Sequence, residues 1–204
     1  RSVEEEDVLA DERDRPALPA ASSHRFDVVY EAGPEGIAVG GLIFPSPEVF
    51  WEWSPAQNHD PGAEGFVTAE VLDGDARLSP DGSGIGFVVE AASLTPGDRV
   101  RFVYGAGPQG ARVDRYAERD ALISFTVDAD GDGYRRWIEG GAVLDIAARR
   151  ARQLVAHGPA EQAPGQEIVL RIALVDAQGN RTGRLDEGRP PGADGPTGAR
   201  VEIG

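Results

Sequence analysis

The chain has 204 residues, of which 40% are apolar and 27% charged, a composition typical of a folded domain and not of a disordered chain. Its 35 acidic and 20 basic residues give a formal net charge of −15, which repels phosphate backbones and anionic lipids. We therefore expect neither nucleic acid nor a membrane as partner. No apolar run reaches the roughly 20 residues of a membrane-spanning helix. The sequence contains no cysteine, which excludes disulfides, thiolate catalysis and cysteine-based zinc sites.

The first 25 residues differ in composition from the rest of the chain. Residues 1–25 carry a run of carboxylates followed by Pro16, Pro19 and small side chains, without an apolar stretch of signal-peptide length. They are predicted to form an acidic arm or linker. Because the sequence also contains no methionine, we expect a processed product or a piece of a longer protein. The sequence does not determine the compartment of the protein, since a chain without cysteine suits both an exported and a cytoplasmic protein.

From Phe26 onward, short apolar runs alternate with polar residues and are separated by Gly, Pro, Asp and Asn. Val100, Phe102 and Tyr104, for example, alternate with arginines. Alternation with a period of two, bounded by turn residues, indicates β-strands. The sequence therefore predicts an all-β protein with a β-sandwich over residues 26–141. Further runs of this kind lie at 66–71, 85–90, 123–127 and 168–174.

Residues 142–204 are predicted to begin a second, incomplete module. Within them, residues 142–155 include the strong helix formers of Ala147–Arg152, and this pattern alone favours a helix. The tail from Asp176 is rich in Gly and Pro, and Val201 and Ile203 alternate at its end. If a second sandwich starts near Gln153, its first strands expose apolar edges that further chain must cover.

Residues 128–139 match the twelve-residue calcium-loop pattern at every charged position. Asp128, Asp130 and Asp132 supply oxygens at positions one, three and five, Tyr134 supplies a backbone carbonyl, and Glu139 stands where the bidentate ligand belongs. Oxygen ligands without His or Cys favour a hard cation, so the predicted cofactor is a structural Ca²⁺. The alternative is a polar hairpin turn, because a strand-like segment precedes the loop where a helix is usual.

Two tryptophans lie in the most aromatic segment, residues 50–53. On a strand, Trp51 and Trp53 would share one face and could stack against a sugar ring. The alternative is that both tryptophans fill the core. This alternative is favoured, because large aromatic side chains dominate the cores of β domains.

No catalytic signature stands out. The three histidines, His24, His59 and His157, lie in different segments without metal-ligand spacing, and no Gly-x-Ser-x-Gly elbow is present. None of the serines has an identifiable base partner in the sequence, and nothing selects a catalytic pair among the 35 acids.

Several segments of the sequence form an ordered set. The set begins with Tyr-Glu-Ala-Gly-Pro-Glu-Gly and the following residues at 30–41, Trp-Ser-Pro-Ala-Gln at 53–57, and Gly-Phe-Val-Thr at 65–68. It continues with 94–98, 104–105, 127–133, Pro-Gly-Gln-Glu at 164–167, and Asp-Ala-Gln-Gly-Asn at 176–180. In this order the segments resemble the N-terminal β-rich region of a bacterial family of uncharacterised proteins, over about residues 26–185. Members of that family carry a metal-dependent hydrolase domain of the polymerase-and-histidinol-phosphatase type further along the chain.

The resemblance implies a role and a fold. The metal-binding signature of the family, Gly-Asp-Leu-His-x-His, is not in this sequence, so no catalytic residue is carried over. The chain is then expected to be a non-catalytic accessory region whose partner is the catalytic domain of the same parent protein. The resemblance also implies strands instead of a helix at 142–155, with the start of an immunoglobulin-like module from Arg152. The alternative function is a calcium-stabilised carbohydrate-binding module using Trp51 and Trp53. An independent hydrolase is the least favoured class.

Overall fold

A computed structural model describes residues 16–48 and 50–183, and these residues form strands and turns without any helix. The prediction of an all-β protein is therefore confirmed, and nothing in the described residues could cross a membrane as a helix. The strands are β1 (Ala17–Pro19), β2 (Ser23–His24), β3 (Phe26–Glu31), β4 (Leu42–Pro47), β5 (Val67–Val71), β6 (Arg77–Pro80), β7 (Phe87–Glu90), β8 (Arg99–Tyr104), β9 (Ala111–Arg112), β10 (Glu118–Asp128), β11 (Arg136–Trp137), β12 (Ala142–Ala147), β13 (Gln153–His157) and β14 (Arg171–Val175).

The chain divides into two compact units, one up to Ala147 and one from Ala148. In the first unit the largest sheet has the order β1-β12-β10-β4-β7-β6, with β11 beside the C-terminal part of β10. Its strands pair antiparallel except β1 and β12, which run parallel. A three-stranded sheet has the order β3-β8-β5, and β2 pairs with β9.

The core of the first unit follows from the alternation seen in the sequence. In β8, Val100, Phe102 and Tyr104 are buried, and in β10 the odd-numbered residues from Ala121 to Val127 are buried. The Phe102 ring of the three-stranded sheet contacts Phe87 and Phe125 of the large sheet, at centroid distances of 5.6 and 5.1 Å. The apolar faces of the two sheets therefore share one hydrophobic cluster.

The structure corrects the predicted boundaries of this unit. Residues 142–147 form β12, which pairs with β10 and β1 and so belongs to the first unit instead of opening the second. The helix favoured by the local pattern at 142–155 is wrong, because strand pairing outweighs the helix propensity of a short alanine- and arginine-rich stretch. Of the predicted arm, β1 and β2 pair into sheets, while residues 1–15 lie outside the described residues.

The second unit, as far as it is described, is built on the antiparallel pair β13 and β14. Leu154 pairs with Leu174, and Ala156 with Ile172, which places four apolar side chains on one face. Leu154 is 59% exposed and Ile172 is 54% exposed, so this face is open. The Gly- and Pro-rich tail from residue 184 lies outside the described residues.

Candidate functional site

The aspartate-rich segment predicted to bind calcium forms the loop between β10 and β11. Asp128, the last residue of β10, is 1% exposed, and its two carboxylate oxygens accept the N–H groups of Gly131 and Gly133 at 2.8 and 2.9 Å. Both glycines have positive φ, 76° and 90°, which they adopt without the strain that a Cβ would add. Asp132 in turn accepts the N–H of Tyr134 at 2.7 Å. The local sequence thus folds a tight turn around a buried carboxylate.

Three carboxylates converge in this loop. Asp128, Asp130 and Asp132 each offer one ligand oxygen, and these oxygens lie within 4.8 Å of one another. Two like unit charges about 4 Å apart repel by about 1 kcal/mol in water and by about 4 kcal/mol near a protein surface. A hard divalent cation would remove that repulsion, and carboxylate oxygens are the ligands that Ca²⁺ takes. The donor set therefore fits the predicted ion.

Glu139 does not join the three aspartates. The β11 pairing sets Arg136 opposite Val127, and the N–H of Ile138 donates to the Phe125 carbonyl at 2.9 Å. Glu139 therefore follows at the level of Ser124, four residues along β10 from Asp128, or roughly 13 Å at the rise of a strand. Because β11 pairs with β10, Glu139 lies away from the loop and is not placed to act as the expected bidentate ligand. Tyr134 stays in the loop, with its side chain 71% exposed.

A cleft of about 510 Å³ lies beside this loop. One wall comes from residues 33–38, which follow β3, and the other from the loop itself and from β11. Asp130 and Asp132 line this cleft together with Glu35 and Arg136, and Tyr30 and Ile138 contribute apolar surface. Burial raises the pKa of Tyr30, whose side chain is only 7% exposed, so its hydroxyl stays protonated at neutral pH. Nothing in the sequence pattern marked this juxtaposition.

The two tryptophans do not lie on one strand, so the prediction of a shared face is wrong. Residues 51 and 52 form a turn closed by the Trp53 N–H donating to the Phe50 carbonyl at 2.9 Å. Trp53 is buried at 3% exposure, as the alternative held, whereas Trp51 is 63% exposed. Trp51 meets the Tyr116 ring edge-on at 5.5 Å. Positive φ at Trp51 and Glu52, 40° and 79°, is a conformation that no sequence pattern predicts for these residues.

One serine does have a histidine neighbour that the sequence reasoning missed. Ser22 Oγ and His24 Nε2 lie 2.6 Å apart, because alternate residues of an extended segment share a side. The hydroxyl of Ser22 also donates to the Pro19 carbonyl. It has one proton, so its oxygen accepts from His24 and is not activated as a nucleophile. Burial lowers the pKa of His24.

Two acids with raised pKa values lie near each other in the first unit. Burial raises the pKa of Asp114, which is 0% exposed, and burial followed by the charges of Asp114 and Glu48 raises that of Glu118. One Asp114 oxygen accepts the Tyr116 N–H at 2.9 Å. The other is buried without a hydrogen-bond partner in the described part of the chain. A carboxylate enclosed in this way cannot touch a substrate, so the pair does not form an active site.

Comparison with protein-family models, with curated proteins and with solved structures gives no match for this chain.

Proposed function

We propose that the chain is a non-catalytic accessory β-rich region of a larger bacterial protein. The observation that supports this proposal is the open face of β13 and β14, where four apolar side chains lie together: Leu154, Ala156, Ile172 and Leu174. A two-stranded sheet is marginally stable in water by itself and needs a partner for its apolar face. Further β-structure and the catalytic domain of the same parent protein are the proposed covering partners.

We also propose how the sheets of the first unit pack and which type of module the second unit begins. The contacts of Phe102 with Phe87 and Phe125 support a β-sandwich in the first unit, with the large sheet as one layer and the three-stranded sheet as the other. Strand β14, which pairs antiparallel with β13 and is followed by the Asp176–Asn180 turn, supports the start of an immunoglobulin-like module. The attached enzyme is proposed, from the sequence resemblance, to be a metal-dependent hydrolase.

The test has a genetic and a biochemical part. A Gly-Asp-Leu-His-x-His segment in the reading frame beyond residue 204 would support the hydrolase, and another domain there would refute that part. The domain encoded there, produced separately, should bind the chain. Leu154→Ser with Ile172→Ser should weaken that binding, whereas Val29→Ser, which changes a 52% exposed apolar residue of the first unit, should not. Self-association of the chain alone through this face would assign it to a second copy and contradict the proposal.

A second candidate function is a calcium-stabilised carbohydrate-binding module, favoured by the convergence of the three aspartates. Its predicted platform is reduced to Trp51, because Trp53 is part of the core. A glycan array probed with calcium and with chelator tests this candidate. Saccharide-dependent quenching of tryptophan fluorescence that disappears in Trp51→Ala would place the ligand on that indole. A chain that retains no saccharide under either condition is not a carbohydrate-binding module.

A further inference from the structure

Strand β3 forms one edge of the three-stranded sheet, since β8 is its one partner among the described strands. The Ala32 N–H, just after β3, donates to the Asp98 carbonyl at 2.8 Å. Residues of an antiparallel pair alternate between bonding to the partner strand and pointing away from it. The backbone groups that point away from β8 are therefore those of every second residue of β3, namely Asp27, Val29 and Glu31.

A groove of about 450 Å³ runs along this edge. Residues 27–31 of β3 form one side, and residues 138–142, which lead from β11 into β12, form the other. The side chains of Phe125 and Ile138 line it with apolar surface. At the other margin of the three-stranded sheet, by contrast, β5 lies beside β6 of the large sheet. The edge groove thus offers a further strand both backbone partners and apolar surface to cover.

The charge of the edge groove indicates what kind of strand fits. Asp27, Glu31 and Glu139 line it and are exposed. Asp27 forms an ion pair with Arg101, whereas Glu31 and Glu139 have no ion pair within residues 16–48 and 50–183. Basic side chains on an added strand would pair with these two carboxylates. A second copy of β3 would instead bring like charges together, which is destabilising across paired strands.

We propose that the edge groove binds an extended segment of a partner protein, with alternating apolar and basic residues, as an added β-strand. The backbone of that segment pairs with the outward groups of β3, as in other cases of strand addition. Its apolar side chains cover Phe125 and Ile138, and its basic side chains lie beside Glu31 and Glu139. The acidic residues 1–15 of this chain have the wrong charge for this groove. The interaction is independent of the proposed accessory role, which uses the face of β13 and β14.

Fluorescence anisotropy of labelled peptides tests this inference on the full chain. The probe is a capped peptide of about seven residues in which valine alternates with arginine, long enough to span residues 27–31. At low salt it should bind at least about tenfold more tightly than the corresponding valine–glutamate peptide. The probe is also made with either its valine or its arginine amides N-methylated. Methylation of the amides that face β3 should abolish binding, because it blocks strand pairing and keeps the charge.

Variants of the chain test the edge groove from the other side. Val29→Pro removes an N–H that points away from β8 and should weaken binding by about tenfold or more, whereas Val29→Thr, which keeps that N–H, should not. Glu31→Arg with Glu139→Arg should reverse the preference between the two peptides. Asp75→Arg with Glu161→Arg changes the net charge equally at exposed residues outside the groove and should leave the preference unchanged.

Far-ultraviolet circular dichroism reports whether Val29→Pro folds, and the charge variants and methylated peptides decide the question if it does not. A folded chain that does not bind the valine–arginine probe would refute the inference. Binding that survives methylation of either set of amides, or that ignores the charge variants, would place the peptide elsewhere and overturn it. Self-association that is lost in Val29→Pro would assign the edge to a second copy. Tighter binding of a peptide with the sequence of residues 198–204 would assign it to the tail of this chain, and either result would also overturn the inference.

Discussion

Each unit contains a turn organised by a buried aspartate, and the two turns differ in their charge. Asp128 in the first unit and Asp176 in the second are both 1% exposed and both accept backbone N–H groups. Asp176 also accepts the side-chain amide of Asn180 at 3.0 Å and the N–H of Arg149 at 2.8 Å. Near Asp128, by contrast, one carboxylate oxygen each of Asp130 and Asp132 lies within 4.8 Å of an Asp128 oxygen.

The difference separates a structural turn from a candidate site. The Asp176 carboxylate accepts four donors, which satisfies its lone pairs with groups of the chain alone. In the Asp128 turn, backbone N–H groups donate to Asp128 and to Asp132, but the carboxylates of Asp130 and Asp132 add two negative charges close to that of Asp128. A cation that bound the Asp128 turn would remove this repulsion, whereas the Asp176 carboxylate already has four hydrogen-bond donors from the chain.

The largest expected effect is the loss of Asp176. Asp176→Ala removes the acceptor of four hydrogen bonds, of which the two from Asn180 are buried. It should destabilise the second unit by roughly 3 kcal/mol, since each of these two buried donors costs about 1–3 kcal/mol when it is left unpaired. Amide hydrogen exchange across β13 and β14 should accelerate. All three tryptophans lie in the first unit, so the fluorescence melt should stay unchanged. Glu161→Ala, an exposed carboxylate of the second unit, is the control. Unchanged protection of β13 in Asp176→Ala would contradict the structural role.

The next effect concerns calcium and the first unit alone. Calcium at about 100 times its dissociation constant should add about 2.7 kcal/mol to the stability of a unit that binds it only when folded. The tryptophan fluorescence melt should therefore shift downward when chelator replaces calcium, and Asp130→Ala should remove the shift. Hydrogen exchange in β13 and β14 should not respond. A parent chain whose melt ignores chelator has only a polar turn at Asp128.

The same comparison shows what the sequence could predict. Alternation over β8 and β10 correctly indicated strands, because side-chain period and burial are local properties of the chain. The acidic and glycine pattern after β10 correctly indicated a tight turn with clustered carboxylates. Glu139 was assigned from a spacing that holds when a helix follows the loop. Here β11 follows and pairs back on β10, and that pairing is set by the sheet, not by the loop.

Non-local contacts account for the other misses. β12 joins the first unit because it lies between β10 and β1, and no local feature of its residues encodes those neighbours. The turn that exposes Trp51 requires positive φ at two consecutive non-glycine residues, which propensity disfavours. Tyr30 enters the candidate cleft only because β3 lies near the β10–β11 loop in space.

Glycine-to-alanine substitutions in the two turns should change stability by a smaller amount than the preceding changes. Gly131 and Gly179 both have positive φ, 76° and 90°, so alanine strains both by about 1 kcal/mol. A Cβ at Gly131 would also lie 2.9 Å from the Gly40 carbonyl oxygen, whereas one at Gly179 meets nothing within 4 Å. Gly131→Ala should therefore cost more stability than Gly179→Ala by roughly 1 kcal/mol. Chemical denaturation monitored by tryptophan fluorescence measures the cost in the first unit. Hydrogen exchange measures the cost in the second unit. Equal costs would mean that the Gly40 contact relaxes freely.

The smallest expected effect is a difference in the pH at which the two units weaken. Burial pushes the pKa of Asp176 upward, but the hydrogen bonds from Asn180 and from the backbone outweigh it and hold the pKa below 3.8. A lowered carboxyl pKa stabilises the folded state above 3.8, and this contribution is lost as the pH falls through the folded value. In the first unit, burial holds the pKa of His24 below 6.5, so protonation is harder in the folded state than in the unfolded chain.

The contribution of neutral His24 is therefore complete above pH 6.5 and declines as the pH falls from there through the lowered folded value. On acidification the first unit should lose stability before the second does. The fluorescence melting temperature should decrease between neutral pH and about pH 5. Protection of β14 should hold until the pH falls below 3.8. His24→Gln, which cannot be protonated in this range, should flatten the first decrease and leave the second in place. A first unit that weakens only together with β14 would show that His24 does not control it. The carboxyl groups of Asp114 and Glu118 cannot imitate the effect of His24, because their raised pKa values add stability to the folded state as the pH falls.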